Sequence, residues 1–414
     1  MKYALTHAFL IDGTGDSQPN RTVLIEDGII LEIQSQPTIP EGFSEIDLAG
    51  KTLMPGLIDL HIHFAALSGD ERWMQDAHFP AGRRALLAAV RAEESLLGGV
   101  TTLRDLGTEH GIAIALKEAI ELGQIRGSRV VTAGSAIVMT GGHGYQMSVE
   151  ADGPVELLRA IRQNLKDGAD LIKICQSEGL PYPEFTMDEL KTVVDECHMR
   201  GKRVAVHVET EPGMGMAVEA GIDTIEHGFN PSDQTLELMA QKGTYWVPTI
   251  TINRRMRQEE HDATTYMDGV RRAFRQKGMT GADVEGKLDY LRECFLAFPE
   301  RFQKGLELGV KIVTGSDGPR PAGYAGTLGI PMDSVRNEVV KFVEWGMNPM
   351  QALMAATSEA AKALDMADQI GQIAPGMVAD LIVLDENPLE DIEHIDTINM
   401  VMKEGVFARG PHSR

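Results

Sequence analysis

The chain has 414 residues, 43% hydrophobic and 24% charged, enough to bury a large core without disulfides and more than one minimal domain needs. Its formal net charge of −22 argues against nucleic acid or an anionic membrane face as a partner, because both call for a basic surface. The three cysteines, Cys175, Cys197 and Cys294, form no CxxC pair, which speaks against a disulfide framework or a cysteine zinc site and fits a reducing compartment.

The N-terminal MKYALTHAFLIDGTGD has a short apolar stretch broken by Thr6 and His7. It lacks the pattern of a signal peptide and reads as a strand. No run is long and apolar enough to span a bilayer, so the expectation is a soluble, cytoplasmic protein with no membrane partner. The next segment, TVLIEDGIILEI, carries an Asp27-Gly28 hairpin signal. The last fifty residues repeat this character, with apolar runs punctuated by Pro375-Gly376 and Asn387-Pro388. Residues 1–55 and 366–414 are therefore expected to form one small β-sandwich domain assembled from both termini.

Residues 56–365 alternate between short apolar runs and helical patterns. The runs are GLIDLHIH (56–63), VTTLRD (100–105), RVVTAGSA (129–136), LIKIC (171–175), VAVHV (204–208), TIEHG (224–228), YWVPT (245–249) and VKIVTGSD (310–317). Helical patterns such as GRRALLAAVRAEESLLG and TMDELKTVVDECHMRG lie between them. Eight such units predict a (β/α)8 TIM-type barrel. An open doubly wound sheet would also alternate, but the chemical residues fall at strand C-terminal ends, which a barrel gathers on one face. The charged segment 251–300 is expected to be a helical insertion after the seventh strand, placed where it could act as a lid.

Those strand ends carry the chemistry. His61 and His63 close the first run and point the same way, so they can share a metal or be two surface histidines. Lys173 lies in a run that should be buried, where an amine is paired, neutral, modified or snorkels outward. His207 and His227 each end a separate strand and can be ligands or core histidines. Asp317 ends the last run before a sharp turn, as a metal ligand and proton acceptor or as a turn residue. Cys175 beside the lysine reads as core packing.

Taken in order, HIH, LIKIC, VAVH, IEHG and TGSD resemble the metal-binding signature of the amidohydrolase superfamily, with MPGLIDLHIH and IAPGMVADLIVLD similar to its usual flanks. TTLRDLG and TGGHG are similar to the imidazolonepropionase-related branch, which includes Xaa-Pro dipeptidases (prolidases) and carboxypeptidase-like dipeptidases. The resemblance implies two divalent metal ions. His61, His63 and Asp317 would hold the first and His207 and His227 the second, with an N-carboxylated Lys173 between them. It further implies a metal-bridging hydroxide as nucleophile, Asp317 as proton relay and His143 as donor to the substrate carbonyl. Zinc suits these ligands, and cobalt, manganese or iron would fit as well.

The resulting expectation is hydrolysis of an amide bond in a small carboxylate-bearing substrate, such as an Xaa-Pro dipeptide or an N-acyl amino acid. Tyr145, Arg254, Arg320 and Tyr324 are candidates for binding the substrate carboxylate. Glu178, where relatives carry a glycine-rich turn, falls near the site mouth. The alternatives are a cyclic amide hydrolase like imidazolonepropionase, a carbamate or ester hydrolase, and, last, a metal-free binding scaffold. Assembly into a homo-oligomer is left open.

Overall fold

The structure is a computed structural model that describes residues 1–36, 38–64, 79–177, 183–251, 271, 281–318 and 334–411, with the side chains of residues 281, 282 and 334 excepted. It opens with β1 (Lys2–Ile11), β2 (Ser17–Glu26), β3 (Ile29–Gln34), β4 (Ser44–Asp47) and β5 (Thr52–Pro55). The hairpin at Asp27-Gly28 forms with both residues at positive φ, 48° and 88°, as an Asp-Gly turn between twisted strands requires.

Eight parallel strands follow: β6 (Leu57–Ile62), β7 (Val100–Asp105), β8 (Arg129–Thr132), then β11 (Ile172–Ser177), β12 (Val204–Val208), β13 (Thr224–His227), β14 (Tyr245–Val247) and β15 (Lys311–Ile312). Two short strands, β9 (Ile137–Val138) and β10 (Val149–Glu150), lie between the third and fourth of these. The backbone N–H of Asp170 donates to the carbonyl of Thr132 at 2.8 Å and links β8 to the fourth barrel strand. At the other seam the N–H of Leu60 donates to Thr314 and the N–H of His63 to Gly318, and Ile62 bridges Gly318 in parallel. The sheet is thus closed, and its strand C-termini share one rim.

β16 (Leu381–Leu384), β17 (Ile398–Lys403) and β18 (Val406–Arg409) return to the N-terminal strands. They complete an eight-stranded mixed sheet in the order β18-β17-β16-β5-β1-β2-β3. This sheet forks at β1, which pairs β4 along its first half and β5 along its second. Tyr3, Leu5, Val23, Ile46, Leu53, Val383 and Phe407 belong to a core separate from the barrel's. Arg129 on β8 pairs with Asp380 and Glu404 and ties the two parts together.

The barrel core is continuous through its helices. Of the helical insertion expected over 251–300, residues 252–270 and 272–280 lie outside the described residues, and the stretch that follows is the helix Gly281–Leu308, which runs past residue 300. Val284, Leu288, Leu291, Phe295, Phe298 and Phe302 are buried along one face, while Asp289 and Arg292 stay in solvent. The Phe298 ring meets Phe229, Trp246 and Trp345 within 5.8 Å between centroids. Among the described residues, no helix is long and apolar enough to cross a membrane.

Phe298 is fully buried in this aromatic cluster. Its replacement by Ala should cost about 3–5 kcal/mol in chemical unfolding, whereas Asp289→Ala, on the exposed face, should stay within about 0.5 kcal/mol. Equal effects would contradict the packing of this helix.

Candidate active site

His61 and His63 follow Asp59 on one face of β6, because side chains two apart on a strand share a face. Their Nε2 atoms lie 3.2 Å apart. Asp317 Oδ1 stands 3.5 Å from each of them. Asp317 reaches this point because its backbone N–H donates to the His61 carbonyl at 2.7 Å, where the last strand closes on the first. Gly315 in TGSD is needed for that approach: a Cβ there would lie 2.3 Å from Val247 Cγ1 and 2.8 Å from the His61 Cβ.

His227 completes a cluster with His61 and Asp317, whose donor atoms all lie within 4.8 Å of one another. The His227 ring is 4.8 Å from the His61 ring and 4.5 Å from the His207 ring. His143, from the loop after β9, stacks on His207 at 4.0 Å with planes 12° apart. Five of the expected site histidines therefore form one continuous group.

Lys173 is 1% exposed, and its Nζ finds no hydrogen-bond partner among the described residues. Burial pushes the amine below its ordinary value, although the charges of Glu226, Cys175 and Asp317 oppose this. Burial likewise lowers His61, His207 and His227 well below the usual imidazole range and His63 to about 4. A charged Lys173 would depress all four further, which places its amine among them. Neutral imidazoles with open nitrogens and an uncharged buried amine are what a metal site needs.

The distances fit an ion. Ligands about 2.1 Å from a shared metal, at angles near tetrahedral, lie roughly 3.0–3.5 Å from each other. The triangle of His61 Nε2, His63 Nε2 and Asp317 Oδ1 has those edges. The opposite ring nitrogens are held in place. His61 Nδ1 lies 2.8 Å from Glu226 Oε2, His63 Nδ1 3.1 Å from the Gly107 carbonyl, and His227 Nδ1 2.7 Å from Thr249 Oγ1. Each partner leaves Nε2 facing inward.

Several of these supports were not singled out from the sequence. Arg104 and Asp105 lie in TTLRDLG, and Glu226 precedes His227. Asp105 is buried and pushed up to about 6, and it accepts from Thr108 Oγ1 and the N–H groups of Phe64 and Gly107. It thereby fixes both sides of the turn that carries His63. Buried Asp59, also raised to about 6, accepts from Ser316 and from the N–H of His61. The available signal was a charge inside a short run that should be buried.

Tyr145 begins a short turn, Tyr145–Met147, and is 44% exposed; among the described residues it makes no ring contact with the imidazoles. Arg254, Arg320, Tyr324 and Glu178 lie outside the described residues.

A closed parallel barrel with histidines and an aspartate converging on one rim is the architecture of barrel hydrolases, with a donor set that could hold a metal ion. Residues 52–408 match the Amidohydrolase family, and the chain belongs to that family. It is similar to the ochratoxinase of Aspergillus niger, 29% identical over 97% of this chain and 85% of that protein. It is similar to an imidazolonepropionase of Geobacillus sp., 23% identical over 93% of this chain and 89% of that one. Among solved structures it resembles an Xaa-Pro dipeptidase with methionine bound in its active site. That likeness is 32% identical, covers 99% of this chain and 100% of the other, and has a TM-score of 0.81. These relatives agree with the imidazolonepropionase-related branch, and the chain is a hydrolase.

One buried carboxyl at the rim titrates in an unusual range. Glu338 accepts from the N–H of Ile250 at 2.9 Å and from the N–H and hydroxyl of Thr251, next to the Thr249 that holds His227. Burial raises it from 4.5 to about 8. The fold thus favours its neutral form. Its contribution is whole below the unfolded value and is lost as pH rises toward the folded one. Urea unfolding at a series of pH values should show Glu338→Gln losing less stability than wild type between about pH 5 and 8. Parallel curves for the two proteins would contradict this.

Proposed function

We propose that the chain is a binuclear metal-dependent amidohydrolase that cleaves an amide bond in a small carboxylate-bearing substrate, an Xaa-Pro or similar dipeptide or an N-acyl amino acid. The observation that carries this reading is the triangle of His61, His63 and Asp317 beside a buried, unpaired Lys173 amine. Full-length likeness to an Xaa-Pro dipeptidase and to an ochratoxinase supports the amide-bond assignment.

In this reading His61, His63 and Asp317 hold one ion, and His207 and His227 hold the other. Zinc is the ion we assign first. The neutral Lys173 amine could add to carbon dioxide with loss of a proton, and the resulting carbamate would offer oxygen ligands to the metal centre. Two divalent cations would supply an activated water near neutral pH and polarise the scissile carbonyl. Asp317, with a side chain 20% exposed, would take up a proton at its carboxylate and return it to the leaving amine. His143, held flat on His207, offers a ring N–H to the oxygen that becomes anionic, a contribution of about 3 kcal/mol for one such donor. The candidates for binding the substrate carboxylate are Tyr145 and, beyond the described residues, Arg254, Arg320 and Tyr324.

The test is a screen of zinc-loaded protein against dipeptides and N-acyl amino acids, reading released amino acid. Turnover should appear, vanish with a chelator and return with zinc. Lys173→Met should lower it by about 100-fold or more and reduce bound metal. Silence across the library with two metals bound would sink the substrate assignment and turn attention to cyclic amides, carbamates or esters. Turnover that survives complete metal removal would sink the mechanism.

A further inference from the structure

We propose that Glu226, held by Arg104, is the positioning residue that fixes which nitrogen of His61 faces the metal centre, and so sets how tightly the ion at His61, His63 and Asp317 is bound. The proposal rests on the metal reading above.

Glu226 is fully buried inside the barrel. Its Oε1 accepts from Arg104 Nη2 at 2.8 Å and from the Thr224 hydroxyl. Its Oε2 lies 2.8 Å from His61 Nδ1. Arg104, 1% exposed, also donates to the Leu60 carbonyl and to Thr224 Oγ1. The chain of contacts therefore runs from β7 across the interior to β13 and back to β6. A buried ion pair of this kind is a weak source of stability, because desolvation cancels most of the attraction. Its effect on geometry is larger.

The proton count gives the direction. An ionised carboxylate only accepts hydrogen bonds. A histidine that binds metal is neutral and carries one ring proton. With Glu226 opposite Nδ1, that proton sits on Nδ1 and donates to the carboxylate. The Nε2 lone pair is then free, and Nε2 is the atom 3.2 Å from His63 Nε2. Oε1 of Glu226 is already taken by Arg104 Nη2 and the Thr224 hydroxyl, so Oε2 is the oxygen turned to His61 Nδ1 as its acceptor.

Among the described imidazoles this support is unequal. His61 is backed by a carboxylate, His63 by a backbone carbonyl and His227 by a hydroxyl. A carboxylate partner makes an imidazole the stronger donor to metal. The ion at His61 and His63 should therefore leave last.

Two measurements on the full chain test this. The first is zinc release against a competing chelator, read by elemental analysis. Wild type should lose its ions in two steps. Glu226→Gln, which keeps an acceptor but removes the charge, should hold the tighter ion about 10–100-fold more weakly and leave the looser step in place. The second is the imidazole nitrogen spectrum of the wild-type protein, with the His61 signal identified by its absence in His61→Asn. It should report a proton on Nδ1 and none on Nε2, and this decides the matter even if Glu226→Gln does not fold. A proton on Nε2 overturns the proposal. So does zinc-binding wild type beside a Glu226→Gln protein of equal affinity. Wild type that takes up no zinc overturns the metal reading itself.

Discussion

The closing seam between the last and first barrel strands is the constraint on which the site depends. Only there does Asp317 come within reach of His61 and His63, which lie some 250 positions earlier in the chain. The bonds that fix the seam are backbone bonds: Asp317 to His61, His63 to Gly318, Leu60 to Thr314. Because they run through the main chain, the carboxylate oxygen is set relative to both imidazoles before any ion enters. Asp59 reinforces the same seam from beneath by accepting from Ser316 and from His61. The small residues of TGSD follow from this demand, since Gly315 has no room for a Cβ against His61 and Val247.

Inside the seam the barrel interior carries buried charges. Asp59, Arg104, Lys173 and Glu226 are all buried. Three of the four are hydrogen-bonded, and the amine of Lys173 has no hydrogen-bond partner among the described residues. A buried unpaired amine is costly, and the usual escape is to lose its charge. The cost is tolerated where the neutral amine is the reactive form. The same reasoning explains why burial lowers the histidines: protonation here would repel both the neighbouring imidazoles and any incoming cation.

Much of this was legible in the sequence, and for a physical reason. Strands buried on both faces are short apolar runs, so 100–105 and 204–208 stand out and match β7 and β12 residue for residue. A charge that interrupts such a run at its C-terminal end is costly unless it has a task, which is why the histidines, Lys173 and Asp317 could be picked out. Strand ends were harder. The run 129–136 keeps only Arg129–Thr132 as strand, with the separate strand Ile137–Val138 just beyond it, and 310–317 keeps only Lys311–Ile312 as paired strand before the seam takes over. YWVPT stops at Val247 because Thr249 turns to a φ of 47°. Arg104 and Glu226 were harder still: each is meaningful only through the other, 122 positions away, and a single sequence does not display pairs.

The backbone at these strand ends adds a last argument. His227, Thr249 and Asp317 are all non-glycine residues at positive φ, 71°, 47° and 52°. Such conformations cost roughly 1–3 kcal/mol each and persist where the surroundings enforce them. The enforcement is visible. The His227 carbonyl accepts from Trp246 Nε1 at 2.7 Å, Asp317 is held by the His61 carbonyl, and Glu338 grips the residues after Thr249. Two of the three strained residues belong to the candidate His61, His227 and Asp317 cluster, and the third, Thr249, orients one of them. A relaxed strand end would send successive side chains to opposite faces. The left-handed step at His227 breaks that alternation just after Glu226, so neighbouring residues can both address the candidate centre, one as a member of its donor cluster and one as the support of His61. The strain at the rim is thus what lets a short strand contribute twice to the same site.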